Sequence, residues 1–79
     1  MAFILGIKPK ARKNLDKIPE NYRARIIAAL DEIALDPFSG KKLFGKEKEL
    51  YSVRIWPYRI IYSVNKRELF IIVIDVGHR

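Results

Sequence analysis

Hydrophobic residues in the first half of the chain follow two different periods. They alternate with other residues over positions 3–8, which predicts a first strand. From Pro9, a residue suited to the first turn of a helix, they recur at helical spacing. Pro19 disfavours helix at the residue before it, so a second helix should begin at about this proline and stop at Asp36 and Pro37. Two helices joined this tightly should form an antiparallel hairpin.

The second half of the chain begins with a polar segment and then changes to a period of two. Positions 36–48 hold four lysines and two glycines, which predicts an exposed loop. Beyond it, alternation predicts strands at 50–56 and 58–64, and an apolar run at 69–76 predicts a central strand. The order β-α-α-β-β-β predicts an α+β fold, in which a helical hairpin packs on one face of a mostly antiparallel four-stranded sheet.

Length and composition narrow the class of protein. The chain has 79 residues, enough for a single domain that should span positions 1–79. It has no cysteine and one histidine, so we expect no disulfide, no thiolate or histidine metal site, and no cofactor. No apolar run approaches the roughly 20 residues of a membrane span. We therefore expect a cytoplasmic protein that does not bind a membrane.

Positive charge is concentrated in the second half of the chain. Sixteen lysines and arginines outnumber nine acidic residues, which gives a net charge of +7. Positions 37–79 carry nine of the basic and four of the acidic side chains, a net of +5. A field of this sign favours a polyanionic partner, most simply nucleic acid. The alternative is a basic domain that has no such partner.

The common hydrolytic patterns are missing, so candidate chemistry has to come from positively charged groups. The sequence has no Ser-His-Asp or Cys-His signature and no glycine-rich phosphate loop. Cleavage of RNA by its own 2′-oxygen requires a base, an acid and a group that stabilises the charged transition state. Arginine suits the last task, because its planar fork holds two phosphate oxygens and stays charged.

Two arginines lie close together in the predicted topology. Arg54 and Arg59 stand on either side of a strand–strand turn, although the hairpin register is needed to decide whether they share a face. His78 and Arg79 directly follow the predicted central strand. We hypothesise that these four residues form one cationic pocket at an edge of the sheet, with the imidazole available for proton transfer. The alternative is that the arginines are solvated strand residues.

Four short segments, taken together, are typical of a known group of proteins. They are Lys-Leu-Phe-Gly at 42–45, Tyr-Ser-Val-Arg at 51–54, Pro-Tyr-Arg-Ile-Ile-Tyr at 57–62 and Val-Ile-Asp-Val-Gly-His-Arg at 73–79. With the preceding helical hairpin, their order and spacing resemble the RelE/ParE toxin superfamily over nearly the whole chain. The RelE-like branch cleaves mRNA in the ribosomal decoding site, whereas the ParE-like branch inhibits DNA gyrase. The Val-Gly-His-Arg segment looks more like the RelE side.

The resemblance implies a role for each candidate residue. Arg54 would lie near the reacting 2′-oxygen and phosphate, and Arg59 would stabilise the phosphate in the transition state. Arg79 would act near the leaving oxygen, and His78 could serve as an acid–base group. Ser52 would contact the RNA. The loop lysines would dock on ribosomal RNA; they are Lys41, Lys42, Lys46 and Lys48.

Two departures from the family pattern lower the expected activity. Ser52 stands where RelE enzymes carry a lysine proposed as general base, and serine cannot take that role at neutral pH. The sequence ends at Arg79, where relatives usually continue into a short tail with an aromatic residue that stacks on the substrate base. We therefore expect weak or absent cleavage by this chain.

The resemblance also implies partners. A type II toxin of this kind would bind a small acidic antitoxin similar to RelB, and as a metal-independent mRNA endonuclease it would act on the ribosome and mRNA. Two alternatives stay open. One is a ParE-like gyrase inhibitor that acts by binding, and the other is a basic RNA-binding module without enzymatic activity.

Overall fold

In the part of the chain that the structure describes, two α-helices lie between the first and second of five strands, and the strands pair into one sheet. A computed structural model of the chain describes residues 2–43 and 49–78. In chain order the elements are β1 (Ile4–Ile7), α1 (Pro9–Asp16), α2 (Glu20–Leu35), a single 3-10 turn (Pro37–Ser39), β2 (Lys41–Leu43), β3 (Glu49–Ile55), β4 (Tyr58–Asn65) and β5 (Phe70–His78). Both helices and every predicted strand are present.

The sheet has the spatial order β1-β5-β4-β3-β2. The β1 strand runs parallel to β5, while the other three pairings are antiparallel. The predicted α+β class is confirmed. The described sheet has five strands, so the predicted number of four is wrong. The additional strand is β2, which lies within the segment predicted to be a loop. A strand of three residues that includes two lysines is too short and too polar to show a strand period.

The two helices bury one stripe each against the same face of the sheet. Pro9 occupies the first helical position of α1, and Pro19 is the residue that caps α2, as the sequence predicts. The helix α1 ends at Asp16, two residues before the predicted break, where backbone N–H groups of the next two residues bond back to its last turn. The buried helical residues are Ala11, Leu15, Ile26, Leu30 and Ile33.

Strand β4 shows how the sheet divides its side chains between two faces. Ile60, Tyr62 and Val64 are buried, whereas Arg59 between the turn and Ile60 is exposed. Tyr51 of β3 pairs with Tyr62 and stacks on its ring, with centroids 5.8 Å apart. The face that meets the helices is therefore the core. The opposite face carries the alternate residues, which are half-buried or exposed.

A contact between Gly40 and Tyr62 fixes β2 against the sheet. The Tyr62 hydroxyl donates a hydrogen bond of 2.6 Å to the carbonyl oxygen of Pro37, and the Tyr62 side chain is fully buried. A Cβ atom at Gly40 would lie 2.6 Å from that hydroxyl and 2.9 Å from the carbonyl oxygen of Ser52. Only glycine allows this approach, which delivers the following residue, Lys41, to its position on the sheet.

Removal of the Tyr62 hydroxyl should destabilise the fold. Tyr62→Phe leaves the buried Pro37 carbonyl without its donor, so we expect a loss of about 1–3 kcal/mol in the free energy of unfolding. Urea denaturation would measure it. Tyr51→Phe is the matched control, because it removes a hydroxyl from the other ring of the stack, and no hydrogen bond of that hydroxyl occurs within residues 2–43 and 49–78. Equal losses in the two variants would contradict this account.

The same hydroxyl should make stability sensitive to alkaline pH. Burial raises the pKa of Tyr62 from 10.0 to about 12, with Tyr51 and Asp36 adding to the rise and the backbone of Gly40 opposing it. The folded state thus favours the neutral phenol. Its stabilising contribution is complete below about pH 10 and is lost as the pH rises towards 12. The difference in unfolding free energy between wild type and Tyr62→Phe should narrow across that window; a constant difference would argue against it.

Candidate nucleic-acid interface

The pairing of β3 with β4 decides the placement of the two candidate arginines. Arg54 lies directly opposite Arg59 in the antiparallel register. Residues directly opposite each other in such a pair point to the same face. Their neighbours Val53 and Ile60 are paired on the core side, so both arginines point away from the helices. Both are exposed.

Strand β2 adds a third cation to this face. Lys41 pairs directly with Ser52, two residues from Arg54 on the same side of β3. An open groove of about 330 Å³ runs between the three strands. Its lining residues are Lys41, Leu43, Ser52, Arg54 and Arg59. We call this surface the cationic groove.

No carboxylate forms an ion pair with the cations of the cationic groove within the described part of the chain. The ion pairs found there, Arg12 with Asp16 and Lys66 with Glu49, lie elsewhere. Gly77 pairs with Arg59, and a Cβ atom at Gly77 would lie 3.2 Å from a carboxylate oxygen of Asp75, so that carboxylate lies beside the glycine. The nearby Asp75 accepts a hydrogen bond of 3.3 Å from the amide of Asn14. Concentrated positive charge without a partner favours binding of a phosphate group.

His78 does not join the arginines in the groove. It pairs with Tyr58, and their ring centroids lie 5.2 Å apart in an edge-to-face contact. Tyr58 also contacts Tyr22 of α2, with centroids 5.6 Å apart, so the imidazole lies on the side of the sheet that carries the helices. The prediction that His78 shares one pocket with Arg54 and Arg59 is therefore wrong. The reason is strand alternation, because Gly77 and not His78 is opposite Arg59.

The other candidate residues divide into two groups. Lys42 is exposed but pairs with Tyr51, which places it on the opposite side of β2 from the groove. Lys46, Lys48 and Arg79 lie outside the described residues, so their expected roles stay predictions. Sequence reasoning assigned Lys41 to a docking loop and missed its place beside Ser52. The pattern that would have shown it is the alternation of Lys41 and Leu43 on one side with Lys42 on the other, which is too short to distinguish from chance.

The cationic groove is suited to an anion and not to a metal ion. Over residues 2–43 and 49–78, no group of three or more His, Cys, Asp or Glu side chains could hold a metal ion. None of the described helices is long and apolar enough to cross a membrane. The chemistry available in the groove is that of fixed positive charges, which hold phosphate oxygens and stabilise charge that develops on them.

Comparison with known proteins connects this fold and groove to a family. The family model described as ParE toxin of type II toxin-antitoxin system, parDE, matches residues 5–79. A chain of the archaeal RelE–RelB complex from Pyrococcus horikoshii is 27% identical, with a TM-score of 0.89, covering 100% of this chain and 97% of that chain. The isolated E. coli RelE toxin is 26% identical, with a TM-score of 0.85, covering 98% and 84%.

A third solved structure supports the fold alone. A chain of the RelBE2 toxin–antitoxin complex from Mycobacterium tuberculosis is 22% identical, with a TM-score of 0.87, and the match covers 100% of this chain and 93% of that chain. None of the curated proteins compared with the chain matches it significantly.

The matching family model describes toxins, and one of the solved relatives is the isolated E. coli RelE toxin. The chain belongs to the ParE toxin family of type II toxin–antitoxin systems, within the RelE/ParE toxin superfamily.

Replacement of one groove arginine should stabilise the protein at low salt. Like charges directly opposite in a sheet repel, so Arg59→Gln should raise the free energy of unfolding by roughly a few tenths of a kcal/mol. The gain should vanish at high ionic strength, where the charges are screened. Denaturation at two salt concentrations would measure it. Arg12→Gln is the control, because it removes the attractive pair with Asp16 at 3.6 Å and should give no gain. A gain that persists at high salt would contradict electrostatic repulsion as its cause.

Proposed function

We propose that this toxin is a ribosome-dependent mRNA endonuclease that holds the scissile phosphodiester in the cationic groove. The observation that carries the proposal is the direct pairing of Arg54 with Arg59, beside Lys41 and without an ion pair to a carboxylate among the described residues. Two guanidinium groups on one face can hold the non-bridging oxygens of one phosphate from two sides. The proposed reaction needs no metal ion, because these cations supply the charge stabilisation.

The proposed chemistry uses the nucleophile that RNA provides. The 2′-oxygen loses its proton and attacks the adjacent phosphorus, and the bond from phosphorus to the 5′-oxygen breaks. The products are a 2′,3′-cyclic phosphate and a 5′-hydroxyl group that has gained a proton. Arg54 lies near the attacking oxygen in this scheme, and Arg59 stabilises the negative charge on the phosphorane-like transition state. Arg79 acts near the leaving oxygen.

Lys41 compensates for the missing lysine at position 52. Relatives of the RelE type carry a lysine on β3 where this chain has Ser52, and Lys41 reaches the same side of the sheet from the neighbouring strand. The cationic groove therefore keeps three positive charges, and the one supplied by Lys41 comes from β2 instead of β3. Lys41 contributes electrostatic stabilisation of the transition state and contacts the backbone of the RNA.

Proton transfer should be the slow step of the proposed reaction. The described lining of the groove has no imidazole, since His78 lies on the other side of the sheet beside Tyr58. Positioning and charge stabilisation still lower the barrier, because the ribosome can hold the mRNA backbone in line for attack. We therefore expect slow cleavage in which solvent water completes the proton transfers.

The partner proposed for this toxin is an acidic antitoxin similar to RelB. Solved relatives of this chain occur in an archaeal RelE–RelB complex and in a complex of an E. coli RelE mutant with a peptide of the antitoxin RelB. The net charge of +7 favours an acidic protein, and the unneutralised groove is a natural place for its carboxylates. An antitoxin that covered the groove would block RNA binding. Action on ribosomes also places the protein in the cytoplasm.

A second candidate function is inhibition of DNA gyrase by binding. The observation that favours it is the match of the ParE family model to residues 5–79. In that case the cationic groove would contact gyrase or its DNA without cleavage. A supercoiling assay with purified gyrase separates the two functions, because an endonuclease of mRNA should leave supercoiling unchanged.

Cleavage of mRNA should depend on the arginine pair. In a purified translation system, we expect the wild-type toxin to produce slow, ribosome-dependent cuts, mapped by primer extension. Arg59→Ala removes charge stabilisation from the transition state and should lower the cleavage rate roughly 100-fold or more. Unaltered cleavage by this variant would refute the proposal, and so would gyrase inhibition by wild type without any cleavage of mRNA.

The effect of Lys41 on the cleavage rate should be distinguishable from the effect of the net positive charge of the protein. Lys41→Ala should lower the cleavage rate roughly ten-fold, because the lysine lines the groove. Lys42→Ala removes the same charge from the adjacent position on the other side of β2, and it should leave the rate unchanged. Equal effects of the two variants would show that only net charge matters.

A further inference from the structure

The tip of the β3–β4 hairpin exposes the only tryptophan of the chain. The side chain of Trp56 is 65% exposed. An indole is the largest apolar side chain, and it is ordinarily more than half buried. Trp56 makes no ring contact within the described residues, so its exposure is not the by-product of a core role.

Neighbouring residues hold the hairpin tip in place without help from the indole. Ile55 and Tyr58, which flank the turn, pair with each other and pack against the core. Tyr58 is further held between Tyr22 and His78. The turn is therefore anchored through its flanking residues, and the face of the Trp56 ring is left to solvent.

The position of Trp56 relative to the arginines indicates what the ring could bind. Arg54 is two residues before it, and Arg59, the cross-strand partner of Arg54, follows it by three. Two residues of extended chain span at most roughly 7 Å, so the Cα atoms of Arg54 and Trp56 lie no farther apart than that. A phosphate held by the two arginines would thus bring the base of an adjoining nucleotide within reach of the indole. Aromatic rings beside cationic groups are the usual elements of single-strand recognition.

We propose that Trp56 is a base-stacking residue, which takes a nucleobase of single-stranded RNA whose adjoining phosphate lies between Arg54 and Arg59. The inference rests on the proposed function and extends it to the RNA bases. Every nucleobase has an aromatic face, so stacking on an unencumbered ring gives affinity with little sequence preference. The adjacent arginine pair favours nucleic acid over an apolar protein surface as the occupant, since such a surface would leave two guanidinium groups desolvated.

The single tryptophan gives a direct readout. Intrinsic fluorescence of the full chain would be followed during titration with a short single-stranded 2′-O-methyl RNA, which binds but lacks the free nucleophile for cleavage. An abasic strand with the same length and number of phosphates is the control. We expect quenching by the base-bearing strand alone, and tighter binding of that strand than of the abasic one at equal ionic strength.

Two variants test the role of the ring itself. Trp56→Leu should weaken binding of the base-bearing strand roughly ten-fold, as measured with a fluorescently labelled strand, and should leave abasic binding unchanged. Leu35→Ala is the matched control, because Leu35 is 69% exposed at the end of α2 and should change neither affinity.

The outcomes separate this inference from the nuclease proposal. Absence of quenching, equal affinity for the two strands, or failure of both strands to bind would each overturn stacking at Trp56. Quenching without mRNA cleavage on the ribosome would support stacking and defeat the nuclease proposal. Cleavage on the ribosome at the same rate by Trp56→Leu and wild type would leave the nuclease standing and overturn a stacking role in it.

Discussion

The register between β3 and β4 is the constraint on which the rest of the molecule depends. It is set by burial, because Tyr51 and Tyr62 stack inside the core and Val53 faces Ile60 on the same side. A slip of one residue would turn one strand over relative to the other, which would move its apolar groups to solvent and bury its guanidinium group under the helices. The hydrophobic core thus determines, through strand alternation, which side chains form the cationic groove on the other face.

Much of this architecture follows from sequence periods that are long enough to be distinctive. The helix α2 spans Glu20–Leu35, and β3, β4 and β5 are seven to nine residues long, so their patterns identify them. The strand β2 could not be predicted, since its place is set by a tertiary contact between Gly40 and the buried Tyr62 hydroxyl. The parallel pairing of β1 with β5 is equally non-local, and no nearby residue encodes it.

The candidate site was predictable only as far as local spacing carries information. The proximity of Arg54 and Arg59 follows from a short hairpin, and the register then shows that they share a face. The sequence groups His78 with the two arginines because it closely follows the predicted central strand. Its actual side depends on a bulge between Ile61 and Tyr62, which shifts the pairing of β4 with β5. A bulge of this kind leaves no simple sequence signal.

The parallel pairing of β1 with β5 also constrains when the protein can finish folding. It joins Ile4 to Phe70, so the contact closes a long loop that includes both helices and the strands β2, β3 and β4. While the chain is being synthesised, β1 has no partner, and β4 lacks the neighbour that covers its second edge. The complete sheet can assemble only after β5 has left the ribosomal tunnel. A nascent chain of this toxin therefore lacks an inner strand of its sheet until residue 78 has emerged.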